Sequence, residues 1–205
     1  MLSLSARASR GPHEDSPFVL AFGDSLTAGY GLAPSEAFPA QLEALLRKDR
    51  PTARVQNAGV SGNTSGDALA RLPRLLSSLK VRPDLAIVEF GGNDLLRGIS
   101  LERTRANLDA ILLEFGRSDI PVLLAVLEAP RYLGAFAERC DAVYADLAAR
   151  HGVAAVPFFP SGILGDPDFT LRDGLHPNAR AIGRVAEAML PAVEAAIRER
   201  SLVAA

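Results

Sequence analysis

With 205 residues, 48% of them hydrophobic, the chain can bury one sizeable core and is short for two. Its 22 basic and 24 acidic residues leave a formal net charge of -2, which offers no global attraction to a polyanion, so neither nucleic acid nor an acidic membrane surface is the expected partner. The longest strongly apolar run, IPVLLAVL at 120–127, falls far short of the roughly 20 residues that cross a bilayer, and no integral membrane segment is expected.

Residues 1–17, MLSLSARASRGPHEDSP, form a polar leader without the apolar stretch of a secretory signal and are expected to be flexible. On the sequence as given the protein is placed in the cytoplasm, and in the periplasm or outside the cell if a leader has been removed. The first apolar run, FVLAF at 18–22, reads as a strand and gives out at Gly23-Asp24-Ser25. Four more runs follow: ARVQNA near 53–58, LAIVEF at 85–90, PVLLAV at 121–126 and VAAVPF at 153–158. Several lack polar alternation, and apolar strands covered on both faces, alternating with helices, are the pattern of a parallel sheet.

The intervening helices have clear stripes. One near 66–79 carries Leu69, Leu72, Leu75, Leu76 and Leu79, with Pro73 expected to kink or restart it. Ser100 reads as the N-cap of a helix bearing Leu108, Ile111, Leu112 and Phe115, stopped by Gly116. Gly152 closes a helix of residues 135–150 in which Phe136, Cys140, Val143, Tyr144 and Leu147 share a face. Cys140 is the sole cysteine, which excludes an internal disulfide and a cysteine metal cluster, and its stripe makes it a core residue. The last helix aligns Ile182, Val185, Ala186, Met189, Leu190 and Val193, with Pro177 in its first turn. The sum is one domain over residues 18–200 followed by a tail at 201–205: a three-layer α/β/α sandwich on a five-stranded parallel sheet, flavodoxin-like.

Ligands of such sheets bind beyond the carboxyl ends of the strands, so the loops there are where chemistry is sought. A serine hydroxyl needs a base to take its proton and a third group to orient that base. Of three histidines, His13 lies in the leader and His151 at a helix end, whereas His176 lies in a rim loop three residues after Asp173. The oxyanion of an attacked carbonyl needs donors, and the candidates are the Ser25 N-H, the Gly62 N-H and the Asn93 amide. Asp24 is expected to support its turn by hydrogen bonding, and Asn63, Thr64 and Ser65 to form a turn and N-cap. Glu89, in an apolar strand, is read as half of an ion pair. Tyr30 and Tyr144 are read as packing residues, and His13 and His151 as surface residues. Competing readings are Ser25 as a plain helix cap, Asp173 with His176 as metal ligands, though no third His or Cys lies nearby, and a nucleotide or flavin module, although GYGLAP at 29–34 fails the dinucleotide fingerprint. No Gly-x-Ser-x-Gly elbow occurs.

GDSL at 23–26, the glycine loop ending in Gly62, GGND at 91–94 and DGLHP at 173–177 resemble, in order and spacing, the four signature blocks of the SGNH (GDSL) hydrolases over residues 18 to about 198. GDSLTAGYG, SGNTS, ARLPRLL, VEFGGNDLLRG and DGLHPN are similar to the subgroup of small bacterial acyl hydrolases described as thioesterase I, lysophospholipase L1 or arylesterase. The resemblance implies Ser25 as nucleophile, its own N-H with Gly62 and Asn93 as oxyanion hole, His176 as base and Asp173 as its orienter. It implies also that Leu95 to Gly98 shifts on substrate binding and that the segment after strand four lines an acyl groove, where LEAPRYLG departs by placing Glu128. The expected protein is then a serine acyl hydrolase of esters and thioesters needing neither metal nor cofactor, its oligomeric state left open with a monomer favoured, and with an acyltransferase or carbohydrate acetyl esterase as the alternative use of the same residues.

Overall fold

The computed structural model describes residues 16–203, so His13 lies outside the described residues. Five parallel strands, β1 (Phe18–Gly23), β2 (Arg54–Asn57), β3 (Leu85–Glu89), β4 (Val122–Val126) and β5 (Ala154–Pro157), form one sheet in the order β2-β1-β3-β4-β5. Among the described residues seven α-helices accompany them: α1 (Ser25–Ala28), α2 (Phe38–Leu46), α3 (Ser65–Ser78), α4 (Gly92–Leu96), α5 (Leu101–Arg117), α6 (Ala135–His151) and α7 (Ala179–Val203). The central strands β1 and β3 are buried along their whole length, which is why they read as unbroken apolar runs.

Alternate residues of those strands feed two cores. Val19 and Ala21 of β1 with Leu85 and Ile87 of β3 pack under Phe38 and Leu42 of α2 and Ile182, Val185 and Met189 of α7. Leu20, Phe22, Ala86 and Val88 pack on the opposite face against Leu72 of α3, Leu108 and Phe115 of α5 and Leu147 of α6. The result is a three-layer α/β/α sandwich. From β1 the chain moves outward to β2 and then returns to β3 on the other side, so a crevice opens beyond the carboxyl ends of β1 and β3.

Three local expectations change. The helix α3 runs unbroken through Pro73, because that proline lies on the exposed side, where water can satisfy the carbonyl it leaves without a donor. Gly116 does not stop α5, which continues to Arg117 and ends on Asp119 in the left-handed region at φ 52°. Ile120 and Asp119 donate back to the Phe115 and Gly116 carbonyls, both at 3.0 Å, a Schellman closure in which Ile120 and Phe115 share the core. Aspartate stands where glycine is usual because its carboxylate bonds Arg200 at 3.0 Å and also Arg82. Pro177 precedes α7 instead of entering it: Asn178 caps the helix by accepting from the Ala181 N-H at 3.0 Å, and Pro177 bridges Thr170.

Candidate active site

The turn leaving β1 is built around missing atoms. A Cβ on Gly23 would lie 2.0 Å from Thr27 Oγ1 and 2.6 Å from Glu89 Oε2, so only glycine fits between those side chains. Asp24 then caps α1, its Oδ1 accepting from the Leu26 N-H at 3.0 Å. Ser25 is therefore the first helical residue and not the cap, which leaves its hydroxyl unspent on the backbone. Ser25 is 8% exposed, and its Oγ sits 3.1 Å from His176 Nε2, across 151 positions of sequence.

His176 is held by its own loop. The Leu171 N-H donates to the His176 carbonyl at 2.7 Å, and Gly174 turns the chain at φ 69°. Asp173 Oδ1 accepts from the N-H groups of Leu175 and His176, each at 3.0 Å, while Oδ2 meets His176 Nδ1 at 2.6 Å. Those donors, the Leu175 N-H first and the imidazole second, pull the Asp173 carboxyl down to about 2. On the solvent side the Tyr30 ring lies 4.3 Å from the imidazole, tilted 33°. Tyr30 is 52% exposed, so it is a cover on the histidine and not the packing residue expected.

Opposite Ser25, the loop after β2 and the start of α4 present amides. Gly62 turns at φ 81°, and its carbonyl accepts from Arg97 Nη2 at 2.7 Å. Asn93 Nδ2 donates to Asp24 Oδ2 at 2.8 Å and to the Asn63 carbonyl at 3.1 Å, so one of the two N-H groups expected for an oxyanion is tied to Asp24. Thr64 caps α3 by accepting from the Asp67 N-H at 3.2 Å. Asp94, buried, accepts from the Ser65 N-H at 2.8 Å, from its hydroxyl, and from Thr104 Oγ1 at 3.1 Å, which locks the glycine loop to α4 and α5. Tyr144 donates from its hydroxyl to the Phe90 carbonyl at 2.8 Å. Burial pushes that phenol well above its ordinary range, so it stays a donor. A Cβ on Gly91 would lie 2.0 Å from the same hydroxyl, so Tyr144 sets the backbone ahead of Asn93 and is more than packing.

Arg71 of α3, inside the ARLPRLL block, has a role that the sequence does not indicate. Its Nε donates to Asn63 Oδ1 at 2.6 Å, its Nη2 to the Gly23 carbonyl at 3.0 Å, and its guanidinium lies 4.3 Å from the Phe22 ring centre. Burial lowers its proton affinity below the usual arginine value. The available signal was an arginine between Ala68 and Leu72 on the buried stripe of that helix. Arg71→Met is expected to release the glycine loop from the Ser25 turn and lower kcat about 10- to 100-fold with KM changed less, a misplacement effect measurable by steady-state ester hydrolysis.

Two further readings are corrected. Glu89 is 0% exposed and, among the described residues, has no ion pair: its Oε2 accepts from the Asp24 N-H at 3.2 Å and Thr27 Oγ1 at 2.9 Å. His151 is not a free surface residue but meets Asp109 Oδ1 at 2.7 Å with its side chain 12% exposed, at the end of α6 and away from this rim.

Ser25, Gly62, Asn93 and His176 open on a cavity of about 510 Å³. Its remaining walls are largely apolar, with Leu95, Ile99, Leu127, Phe136 and Cys140 among them, so Cys140 faces the cavity as well as filling the core. Leu95 and Leu96, expected in a loop, are the last residues of α4. Glu128 stands in the wall with Arg131 at 3.5 Å. Among the described residues no group of three or more His, Cys, Asp or Glu side chains converges as a metal site, and no helix is long and apolar enough to cross a membrane.

The chain is similar to known proteins along most of its length. Esterase TesA of Pseudomonas aeruginosa is 36% identical over 181 residues, covering 86% of this chain and 87% of its own. The thioesterase 1/protease 1/lysophospholipase L1 of Escherichia coli K12 is 37% identical over 172 residues, covering 83% and 80%. The crystal structure of AlinE4, an SGNH-hydrolase family esterase, superposes with a TM-score of 0.73 at 45% identity, covering 88% of this chain and 96% of that one. The model of the GDSL-like lipase/acylhydrolase family matches residues 21–181, a span that holds Ser25, Gly62, Asn93, Asp173 and His176, and the chain belongs to that family.

Proposed function

We propose that residues 18–200 act as one catalytic domain, a serine hydrolase that cleaves carboxylic esters and thioesters through an acyl-enzyme on Ser25. The observation that carries this reading is the unbroken line Ser25 Oγ, His176 Nε2, His176 Nδ1, Asp173 Oδ2, with contacts of 3.1 and 2.6 Å, opening on an apolar cavity. As Oγ attacks the carbonyl carbon, its proton passes to Nε2, and the imidazolium that forms is paired with the Asp173 carboxylate. The developing oxyanion takes the backbone N-H groups of Ser25 and Gly62 and the Asn93 N-H that otherwise rests on the Asn63 carbonyl, the longer of its two bonds. His176 then protonates the departing alcohol or thiol, and water, deprotonated by the same nitrogen, releases the acid. No step calls for a metal or cofactor.

The apolar walls suit an acyl chain, and each buried methylene contributes about 0.8 kcal/mol of binding. The esterase and thioesterase names of the relatives support both leaving groups. A common intermediate makes a specific prediction. With matched acyl chains delivered as an aryl ester, an alkyl ester and a thioester, and a fixed alcohol added as competing acceptor, the ratio of free acid to new ester is expected to be the same for all three. A ratio that changes with the leaving group contradicts the acyl-enzyme, and new ester without acid assigns the protein to transfer instead of hydrolysis.

A further inference from the structure

Glu89 is the last residue of β3, in register with Gly23 of β1, and lies behind the nucleophile turn. Its Oε2 has two donors, the Asp24 N-H and the Thr27 hydroxyl, but its Oε1 is buried with no donor among the described residues. Glu89 Oε2 takes the Asp24 N-H at 3.2 Å, which sets the two buried carboxyls beside each other behind the turn, and two adjacent carboxyls removed from water are not both ionised. Among the described residues, the other groups near the pair give Glu89 Oε1 no donor. Arg71 of α3 spends its donors on the Gly23 carbonyl and Asn63, Tyr144 of α6 donates to Phe90, and His176 acts on Asp24 from the rim.

Where the one proton sits follows from the donors. Asp24 accepts from the Leu26 N-H and the Asn93 amide, so a proton there would compete with the cap of α1 or with the anchor of Asn93. An ionised Glu89 would place the charge on the fully buried partner with one oxygen bare, the costliest arrangement available. We propose that Glu89 is a positioning residue working as a neutral carboxylic acid, donating its hydrogen to the Asp24 carboxylate and so fixing the one acceptor that both caps the Ser25 helix and anchors the Asn93 amide. Burial, and after it the neighbouring Asp24 charge, pushes the Glu89 carboxyl well above its ordinary range; burial raises the Asp24 carboxyl as well, and the Leu26 and Asn93 hydrogen bonds hold that rise back. Both assignments agree with the donor count. The kinetic consequence rests on the reading of Ser25 as nucleophile; the protonation state does not.

Two measurements test it. Glu89→Leu is expected to lower kcat about 10- to 100-fold with KM changed little, by loosening Asn93 and the turn. Glu89→Gln, whose amide N-H replaces the acid hydrogen toward Asp24, is expected to recover kcat to within a factor of about three of wild type. Independently, infrared difference spectroscopy at neutral pH is expected to show a protonated-carboxyl C=O band in the wild type and in Ser25→Ala that Glu89→Gln lacks, a readout that stands even if Ser25 proves not to be the nucleophile or Glu89→Leu does not fold. Absence of that band from the wild type, or a Glu89→Gln enzyme as slow as Glu89→Leu, overturns the proposal.

Discussion

Ser25→Ala is expected to lower kcat for ester hydrolysis by about 10⁴- to 10⁶-fold while leaving the protein folded. On the proposed mechanism the size follows from a group that acts as a unit with its base: without Oγ no acyl-enzyme would form, and the oxyanion donors and binding cavity would supply only the residual rate. The intact fold follows from the turn. The cap of α1 is the Asp24 carboxylate on the Leu26 N-H, and the serine hydroxyl contributes only its contact with His176 at 3.1 Å and a marginal one with Asp24 at 3.5 Å. The stability of the variant is therefore expected to stay within about 1.5 kcal/mol of wild type, the range of a single lost hydrogen bond. Steady-state kinetics with a chromogenic ester, alongside a melt, checks both halves, and near-wild-type turnover removes Ser25 from the mechanism.

Asp173→Asn is expected to cost about 10⁴-fold in kcat, because an amide can present a donor to Nδ1 and so select the tautomer in which Nε2 already carries a proton and cannot act as base. The loss is one of chemistry and not of binding, so KM for an ester of fixed chain length is expected to change far less than kcat. The same carboxylate makes a stability prediction. Its folded value of about 2 lies below its reference of 3.8, so its contribution is fully present above the reference value and lost as pH falls through the folded one. Urea unfolding should show the gap between wild type and Asp173→Asn closing over that window, from about 3.8 down to about 2, and flat at higher pH. A gap that instead changes between neutral pH and mildly acid conditions would assign the linkage to another group.

The parts of this architecture legible in the sequence are those with a local cause. The five strands appear because β1 and β3 are buried on both faces and tolerate no polar alternation. The Ser100 cap and the Gly152 stop each depend on one residue's backbone or side-chain chemistry. Features decided across the sheet were not legible. The short helix α2 buries Phe38, Leu42 and Leu46 against α7, a stripe too brief to stand out alone. Gly116 and Pro73 carry stop and kink signals that the surrounding packing overrides, and the real stop at Asp119 depends on arginines 37 and 81 positions away. At the site, Ser25, Asp173 and His176 could be proposed because their chemistry demands partners. Arg71, Tyr144 and Glu89 bond the backbone or a neighbouring carboxyl from distant elements, and such contacts leave no spacing to read.

Ser25 is the residue expected to become acylated, and covalent labelling tests that directly. The protein treated with a fluorophosphonate and analysed by intact-mass and peptide mass spectrometry is expected to gain one adduct, on the peptide containing Ser25, with labelling abolished in Ser25→Ala and greatly slowed in His176→Ala. An adduct on another residue, or full esterase activity in protein labelled to completion at Ser25, would contradict it.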